Sequence, residues 1–570
     1  MANTVNRVRN MLRIGQIGKT TPVPNLRRLT VSCFLFSLLV CSQPVLGQVF
    51  NERFEDWPVA LKINGRVIVA NELPQADQLA GLLNERGRTG TLCLLAPAHY
   101  IDKLTSGLES AVAKVVPLDG LRDAEAYESA EVLLWFTTPN FKPEFQYLDR
   151  QAEVLRKQVE MGKTVVVIGG AAKWCASLFL TNTDGHPTLH EGTGLLPDSV
   201  LQLDYKPESD RPRILSALAS HPSRVGIGLN AKTALLLSGR KLLVAGEGSA
   251  TLLLASDGRQ PFKSKTISGR TGERSQRVTD FLADLTQWRR EAKDRTLETF
   301  PSIAPELPSV PNGKLFIVGG GGMPDNLMTQ FVEAAGGKKA KLVYVPCSEQ
   351  EEVSPRQSMV NLWKRMGVDS VSLLHTKDRI QANSDEVFYA PLKDATGIWF
   401  GGGRQWNFSD SYFGTTTHRL MKEVLQRGGV IGGSSAGASI QARYLCRATP
   451  IENFLPMAPG YERGGLGFIS GIAIDQHFSQ RRRQKDMTSL VNRYPQLLGI
   501  GIDEATAIIV EGSTAQVTGR GKVHFYDRKQ PVYPDRPDYI ALSAGQSYDL
   551  IARTVLAPKS SGSEEETPEE

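Results

Sequence analysis

The sequence predicts an α/β protein made of two tandem doubly wound parallel-sheet domains, the first a degenerate copy of the second. Three observations carry that expectation. Apolar runs of four to six residues alternate with helix-compatible stretches, the pattern of parallel strands buried on both faces. Each half opens on a glycine, a basic residue and a β-rich run, Gly65-Arg66-Val67-Ile68-Val69 and Gly313-Lys314-Leu315-Phe316-Ile317-Val318. Four later segments then recur in the same order, the mark of an internal repeat.

The recurring segments place the elements. VLLWFTTPNF (132–141) is echoed by TGIWFGGGRQ (396–405), and VVVIGGAAKWCAS (165–177) by GGVIGGSSAGAS (428–439). GLLPDSVLQLDYK (194–206) matches GLGFISGIAIDQH (465–477), and GIGLNAKTALLL (226–237) matches GIGIDEATAIIV (499–510). Between the copies, Pro301, Pro305, Pro308 and Pro311 break any periodicity, which suits a linker. The expected divisions are a first domain at 55–290, a linker at 291–311 and a second domain at 312–556. The tail 559–570, rich in Glu without an apolar anchor, reads as disordered.

The 570 residues are 41% hydrophobic and 22% charged, a globular composition. The net charge of +6, from 66 basic and 60 acidic residues, belongs to one segment. Residues 1–47 hold Arg7, Arg9, Arg13, Lys19, Arg27 and Arg28 and no acid, leaving 60 charges of each sign elsewhere. Global attraction to nucleic acid is therefore not expected. Leu29–Val40 is an apolar run short of the ~18 residues needed to span a bilayer, and Gln43, Pro44, Val45 and Gly47 follow it. Residues 1–47 thus read as a cleaved signal peptide, giving a secreted or periplasmic protein with no stable membrane insertion.

Outside the leader, Cys93, Cys175, Cys347 and Cys446 are widely spread with no CxxC pair, so buried free thiols are expected and no structural metal. Dispersed histidines and the lack of H-E-x-x-H point to no catalytic metal or cofactor. Met323-Pro324 interrupts a dinucleotide fingerprint after Gly319–Gly322, which reads as a tight strand-to-helix connection.

Chemistry concentrates in the second half. Gly433-Ser434-Ser435-Ala436-Gly437 fits G-x-S-x-G between a strand-like and a helix-compatible run, a nucleophile elbow. A hydroxyl needs a base, and His477 stands at the end of the strand-like Ile472-Ala473-Ile474, where parallel-sheet sites gather. Asp503 or Glu504, past another apolar run, could orient the imidazole. Backbone N–H groups of Ala436 and of the Gly401-Gly402-Gly403 turn, Gly403 in particular, are the expected oxyanion donors.

GGSSAGAS, DQHFSQRRR and LGIGIDEATA, with WFGGGRQ upstream, resemble cyanophycinases of serine peptidase family S51 over roughly Gly313–Asp527. The resemblance implies a flavodoxin-like, class I glutamine amidotransferase-like fold. It makes Ser435 the nucleophile, His477 the base and Glu504 the third member. It implies hydrolysis of cyanophycin, a poly-aspartate bearing arginine, to β-Asp-Arg dipeptides, or of aspartyl peptides. Gln405, Asp475, Gln476, Arg481 and Arg483 fall on its substrate-site positions. Arg404 and Asp486 depart from the pattern by reversing charge, which puts the β-Asp-Arg preference in doubt. A homodimer, or a pseudo-dimer within one chain, is the implied assembly.

Aligned with the second half, the first has Ala172 for Ser435, Lys206 for His477 and Ala231 for Glu504, so it reads as catalytically dead. Two rivals remain at this stage. One is an esterase using Asp503 and His524 in Ser–acid–His order. The other is a non-catalytic binding protein on the same scaffold.

Overall fold

The computed structural model describes residues 57–72, 83, 89–109, 112–118, 128–138, 145–183, 186–270, 276–451 and 455–557. The leader and tail expected from the sequence lie outside them. In the first half β1 (Ile63–Ala70), β2 (Thr89–Leu95), β3 (Val112–Pro117), β4 (Val132–Phe136) and β5 (Thr164–Ile168) pair in the parallel order β1-β5-β4-β2-β3. β6 (Ala176–Thr183), β7 (His186–Glu191), β8 (Leu196–Leu203) and β9 (Val225–Leu229) begin a second sheet. β10 (Thr233–Gly239) and β11 (Lys241–Gly246) extend the first sheet antiparallel to β1, β12 (Ser249–Leu254) and β13 (Lys263–Ser268) extend the second, and β14 (Leu282–Asp284) pairs with β11.

In the second half β15 (Val310–Val318), β16 (Lys341–Val345), β17 (Ser370–Leu373), β18 (Gly397–Phe400) and β19 (Val430–Ser434) pair in the parallel order β15-β19-β18-β16-β17. β20 (Ala442–Tyr444), β21 (Ile469–Gln476) and β22 (Leu498–Ile502) are parallel neighbours in another sheet. β23 (Thr506–Gly512) and β24 (Thr514–Gly519) continue the first sheet antiparallel, β25 (Val523–Tyr526) and β26 (Ile540–Leu542) the second, and β27 (Ser547–Asp549) and β28 (Thr554–Leu556) lie beyond β24.

The fold is α/β, but its sheets are mixed rather than wholly parallel. Arg240 and Ser513 are one-residue links between β10 and β11 and between β23 and β24. A parallel neighbour needs a crossover of a dozen or more residues, so these strands turn back as hairpins. Order and direction agree between the halves strand for strand: β3-β2-β4-β5-β1-β10-β11 runs as β17-β16-β18-β19-β15-β23-β24, and β6-β8-β9-β12-β13 as β20-β21-β22-β25-β26.

Backbone hydrogen bonds fix which residues correspond, and they shift two of the expected pairs. Tyr205 N–H donates to Leu229 O as Phe478 N–H does to Ile502 O, and Asn230 to Ser249 O as Asp503 to Lys522 O. Asp204, not Lys206, therefore stands in the place of His477, with φ of 52° against 50°. Ala231 stands in the place of Glu504 as aligned. In the elbow, Ile168 pairs with Ala70 and Ser434 with Val318, so Gly169 rather than Ala172 is level with Ser435. Uniform apolar runs match one another at several offsets, so they locate a strand without fixing its register.

In the second half one core lies between the two sheets, where Leu315, Ile317, Ile398, Phe400 and Ile431 meet Ile472, Ile474, Ile500 and Phe525. On the other face of the first sheet, Phe316, Val318 and Trp399 pack with Leu327, Phe331 and Trp363 from helices Leu327–Ala334 and Ser358–Met366. The expected linker is shorter than 291–311: helix Leu285–Asp294 runs into it with Ala292 buried, and β15 begins at Val310. That helix could not end at 290, because its later residues also bury apolar and charged side chains. Cys93, Cys175, Cys347 and Cys446 are free thiols. Among the described residues no helix is long and apolar enough to cross a membrane.

Candidate active site

The parallel strands of the second half end together, and the candidate residues follow those ends. β19 stops at Ser434 and helix Ala436–Ser439 begins at once, so the whole turn falls on Ser435, with φ 56° and ψ −112°. A Cβ at Gly433 would lie 2.2 Å from Gly437 O, and one at Gly437 would lie 2.1 Å from Phe400 O. This is why the elbow needs glycine on both sides of Ser435. Ala436 is the first helical residue, so its N–H has no intrahelical acceptor.

His477 follows β21 and Glu504 follows β22. Ser435 Oγ and His477 Nε2 are 2.9 Å apart, and His477 Nδ1 and Glu504 Oε1 are 2.6 Å apart. His477 N–H donates to Gly319 O at 2.8 Å, which sets the ring's backbone in a left-handed conformation. Glu504 N–H donates to Gln480 Oε1 at 3.0 Å. Burial lowers the His477 pKa below the ordinary 6.5; the Glu504 hydrogen bond opposes this, and the positive charges of Arg481 and Arg483 add to it. The imidazole is therefore neutral at neutral pH, the form that can accept a proton.

Of the two acids left open by the sequence, Glu504 meets the imidazole. Asp503 accepts from Ser479 N–H at 3.0 Å and Lys522 N–H at 3.1 Å, and lies 3.4 Å from His524 Nε2. Burial opposes its charge, but hydrogen bonds from His524, Ser479 and the backbone hold it down at about 2. His524 faces Ser479 and Asp503, not Ser435, so the Ser–Asp–His esterase arrangement is not formed. The short strand Val523–Tyr526 does not show this in the sequence, because facing depends on register.

Gly319–Gly322 does more than connect a strand to a helix. A Cβ on Gly320 would lie 2.5 Å from His477 Nε2, and one on Gly321 would lie 2.4 Å from Glu504 Oε2. Positive φ at both, 94° and 63°, brings bare backbone against the imidazole and carboxylate. The glycine run was visible in the sequence; its position was not. Similarly, Gly402 and not Gly403 abuts Ser435: a Cβ on Gly402 would lie 3.6 Å from Ser435 Cβ, whereas one on Gly403 would lie 2.7 Å from Cys347 O.

The expected substrate residues divide into two groups. Asp475 is buried and takes Arg447 Nε at 2.8 Å and Arg483 Nη1 at 2.6 Å, while Arg447 Nη2 also reaches Asp486 at 2.6 Å. Two cations and two anions thus neutralise one another, which assigns the departure at Asp486 to a partner, Arg447, that the sequence did not single out. Arg483 Nη1 also donates to Gln476 O at 2.8 Å, and Gln405 Nε2 donates to the carbonyls of Cys446 and Arg447 at 2.8 and 2.9 Å. Gln405, Asp475, Gln476 and Arg483 are in this way largely committed to shaping the loops. Arg404, Arg481 and Arg482 are exposed and form no ion pair among the described residues. The Arg404 guanidinium lies 5.8 Å from the Trp406 ring.

Residues 315–518 match the family described as peptidase family S51. A cyanophycinase of Trichormus variabilis is 28% identical over 250 residues, 40% of this chain and 82% of that protein. One of Synechococcus elongatus is 29% identical over 214 residues, 36% of this chain and 65% of that protein. A crystal structure of a peptidase from an acI-B1 Actinobacterium is 24% identical and covers 42% of this chain and 97% of that one, with a TM-score of 0.32. Over residues 315–518 the second half of the chain is thus similar to peptidase family S51 and to the cyanophycinases.

Proposed function

We propose that the chain is an exported serine-type peptidase acting on aspartyl peptides or a cyanophycin-like polymer. The observation that carries this is the hydrogen-bonded series Ser435–His477–Glu504, with the hydroxyl presented on a strand-to-helix elbow. His477 takes the Ser435 proton as Oγ attacks the scissile carbonyl, and then returns it to the leaving amine. Water, deprotonated by the same imidazole, releases the acyl group from Ser435 and leaves free acid. Glu504 holds the imidazole with Nδ1 protonated. The N–H of Ala436, with Gly402 as the second donor in place of Gly403, faces the developing oxyanion; one such donor is commonly worth about 3 kcal/mol of barrier.

Exposed Arg404, Arg481 and Arg482 leave the neighbourhood of the site net positive, since the charges of Arg447, Arg483, Asp475 and Asp486 cancel. This favours a substrate with free carboxylates, such as an α- or β-aspartyl peptide, over an arginine-bearing one. Residues 1–47 are the export signal. The first half is a catalytically silent copy of the same fold, with Gly169, Asp204 and Ala231 at the places of the three catalytic groups; the shared strand order supports this.

Mature protein and its Ser435→Ala variant, offered a panel of α- and β-aspartyl peptides and cyanophycin, provide the test. Wild type should release product and be acylated at Ser435 by a fluorophosphonate, and the variant should do neither. No turnover of any substrate by wild type would refute the proposal.

A further inference from the structure

The helix Trp406–Tyr412 is buried along its whole length, and it begins directly after the Gly401–Gln405 turn that lies against Ser435. One carboxylate on it, Asp410, points away from the site into the contact with the first half. Arg240, in the hairpin between β10 and β11, reaches Asp410 Oδ2 with Nη1 at 2.7 Å. Arg290, on helix Leu285–Asp294 and 1% exposed, reaches Asp410 Oδ1 with Nη1 at 2.6 Å. The Tyr461 hydroxyl donates to the same oxygen at 3.1 Å. Burial opposes the Asp410 charge, but Arg240, Arg290 and Lys377 more than offset it, and its pKa lies well below the usual carboxylate range.

Both cations are themselves fixed within the first half. Arg240 Nε sits 2.8 Å from Asp284, and Arg290 Nε donates to Pro58 O at 2.9 Å. The helix bearing Arg290 also packs against the backbone of the second half, where a Cβ on Gly460 would lie 2.5 Å from Gln287 O. On the other side of Asp410, one turn back along the helix, Gln405 holds the Cys446 and Arg447 carbonyls, and Arg447 holds Asp475, two residues before His477. Two sets of buried polar contacts, joined through the helix Trp406–Tyr412, therefore connect the first half to both the oxyanion turn and the strand that carries the base.

We propose that the catalytically silent first half is a positioning scaffold for the Ser435 site, with Arg240 and Arg290 as positioning residues that act through Asp410 on the Gly401–Gln405 turn. The inference rests on the peptidase function proposed above. It gives the first half a role without asking it to bind substrate. Two guanidinium groups on one carboxylate fix its direction as well as its place, because each planar fork tolerates little rotation.

The test uses the full chain with Arg240→Gln and Arg290→Gln, singly and combined. kcat per folded molecule on an aspartyl peptide should fall by about tenfold or more, since small misplacement of an oxyanion donor acts on the transition state. KM should stay within about threefold, because the variants touch no substrate-facing side chain. Arg290→Lys should recover part of the lost kcat. Lys263→Gln, which removes an ion pair to Glu291 inside the first half, should leave kcat unchanged.

If Arg290→Gln fails to fold, the neutral pair Arg290→Gln with Asp410→Asn replaces it and the same readout applies. Hydrogen exchange at amides 401–412 should accelerate in the arginine variants whether or not a substrate has been found. Unchanged exchange, or unchanged kcat per folded molecule, overturns the proposal. Absence of turnover and of Ser435 acylation in wild type, with faster exchange in the variants, refutes the peptidase function instead.

Discussion

At the scale of the residue, the site depends on protonation and on who holds whom. In the proposed mechanism His477 acts as a neutral base, and burial keeps its pKa below 6.5. Activity therefore persists as pH falls through the ordinary histidine range and is lost only below it, so the acidic limb of kcat/KM should have its midpoint under pH 6.5. Arg481 contributes to the lowering, and removing a nearby positive charge makes protonation easier. In Arg481→Gln the limb should move to higher pH, as a pH–rate profile would reveal; a shift downward, or a wild-type midpoint above 6.5, contradicts this assignment. Glu504 was one of two adjacent acids in the sequence, and only the direction of each side chain after β22 separates them. Asp503 turns to the backbone of the next loops, and Glu504 turns to the imidazole.

At the scale of the element, backbone without side chains does much of the shaping. Gly319–Gly322 connects β15 to the following helix, but its left-handed glycines also form the floor beneath His477 and Glu504. Gly320→Ala should drive the imidazole from its place beside Ser435 and lower kcat/KM by about 100-fold, the scale set by a displacement near 1 Å. Because φ at Gly320 is 94°, thermal unfolding should also show a loss of about 1 kcal/mol. Full activity in that variant would mean that the glycine contact with the ring is dispensable. The elbow follows the same logic, since Gly433 and Gly437 leave room that no larger residue could share with Phe400 and the turn itself.

At the scale of the molecule, the two halves share a strand plan but not the space for chemistry. A Cβ on Gly169, level with Ser435, would lie 1.8 Å from Thr137 O, whereas Gly402 leaves the corresponding space beside Ser435 open. Gly169→Ser should accordingly destabilise the protein by about 2–3 kcal/mol through overpacking and create no second site for a fluorophosphonate, which calorimetry and a labelling count on Ser435→Ala background would check. Labelling at residue 169 would show that the first half retains a workable elbow. The sequence by itself determined the α/β class and placed Ser435 in a strand-to-helix turn with a histidine and acids available to it, because hydrophobic periodicity and glycine spacing are local properties written along the chain. Register, facing and partnership were decided only by the tertiary structure. A strand of uniform apolar residues can slide without altering its pattern, which is why Gly169 and Asp204 replaced Ala172 and Lys206. The pairing of Asp410 with Arg240 and Arg290 links residues 170 and 120 positions apart, and only the packed fold brings such distant charges out of water and against one another.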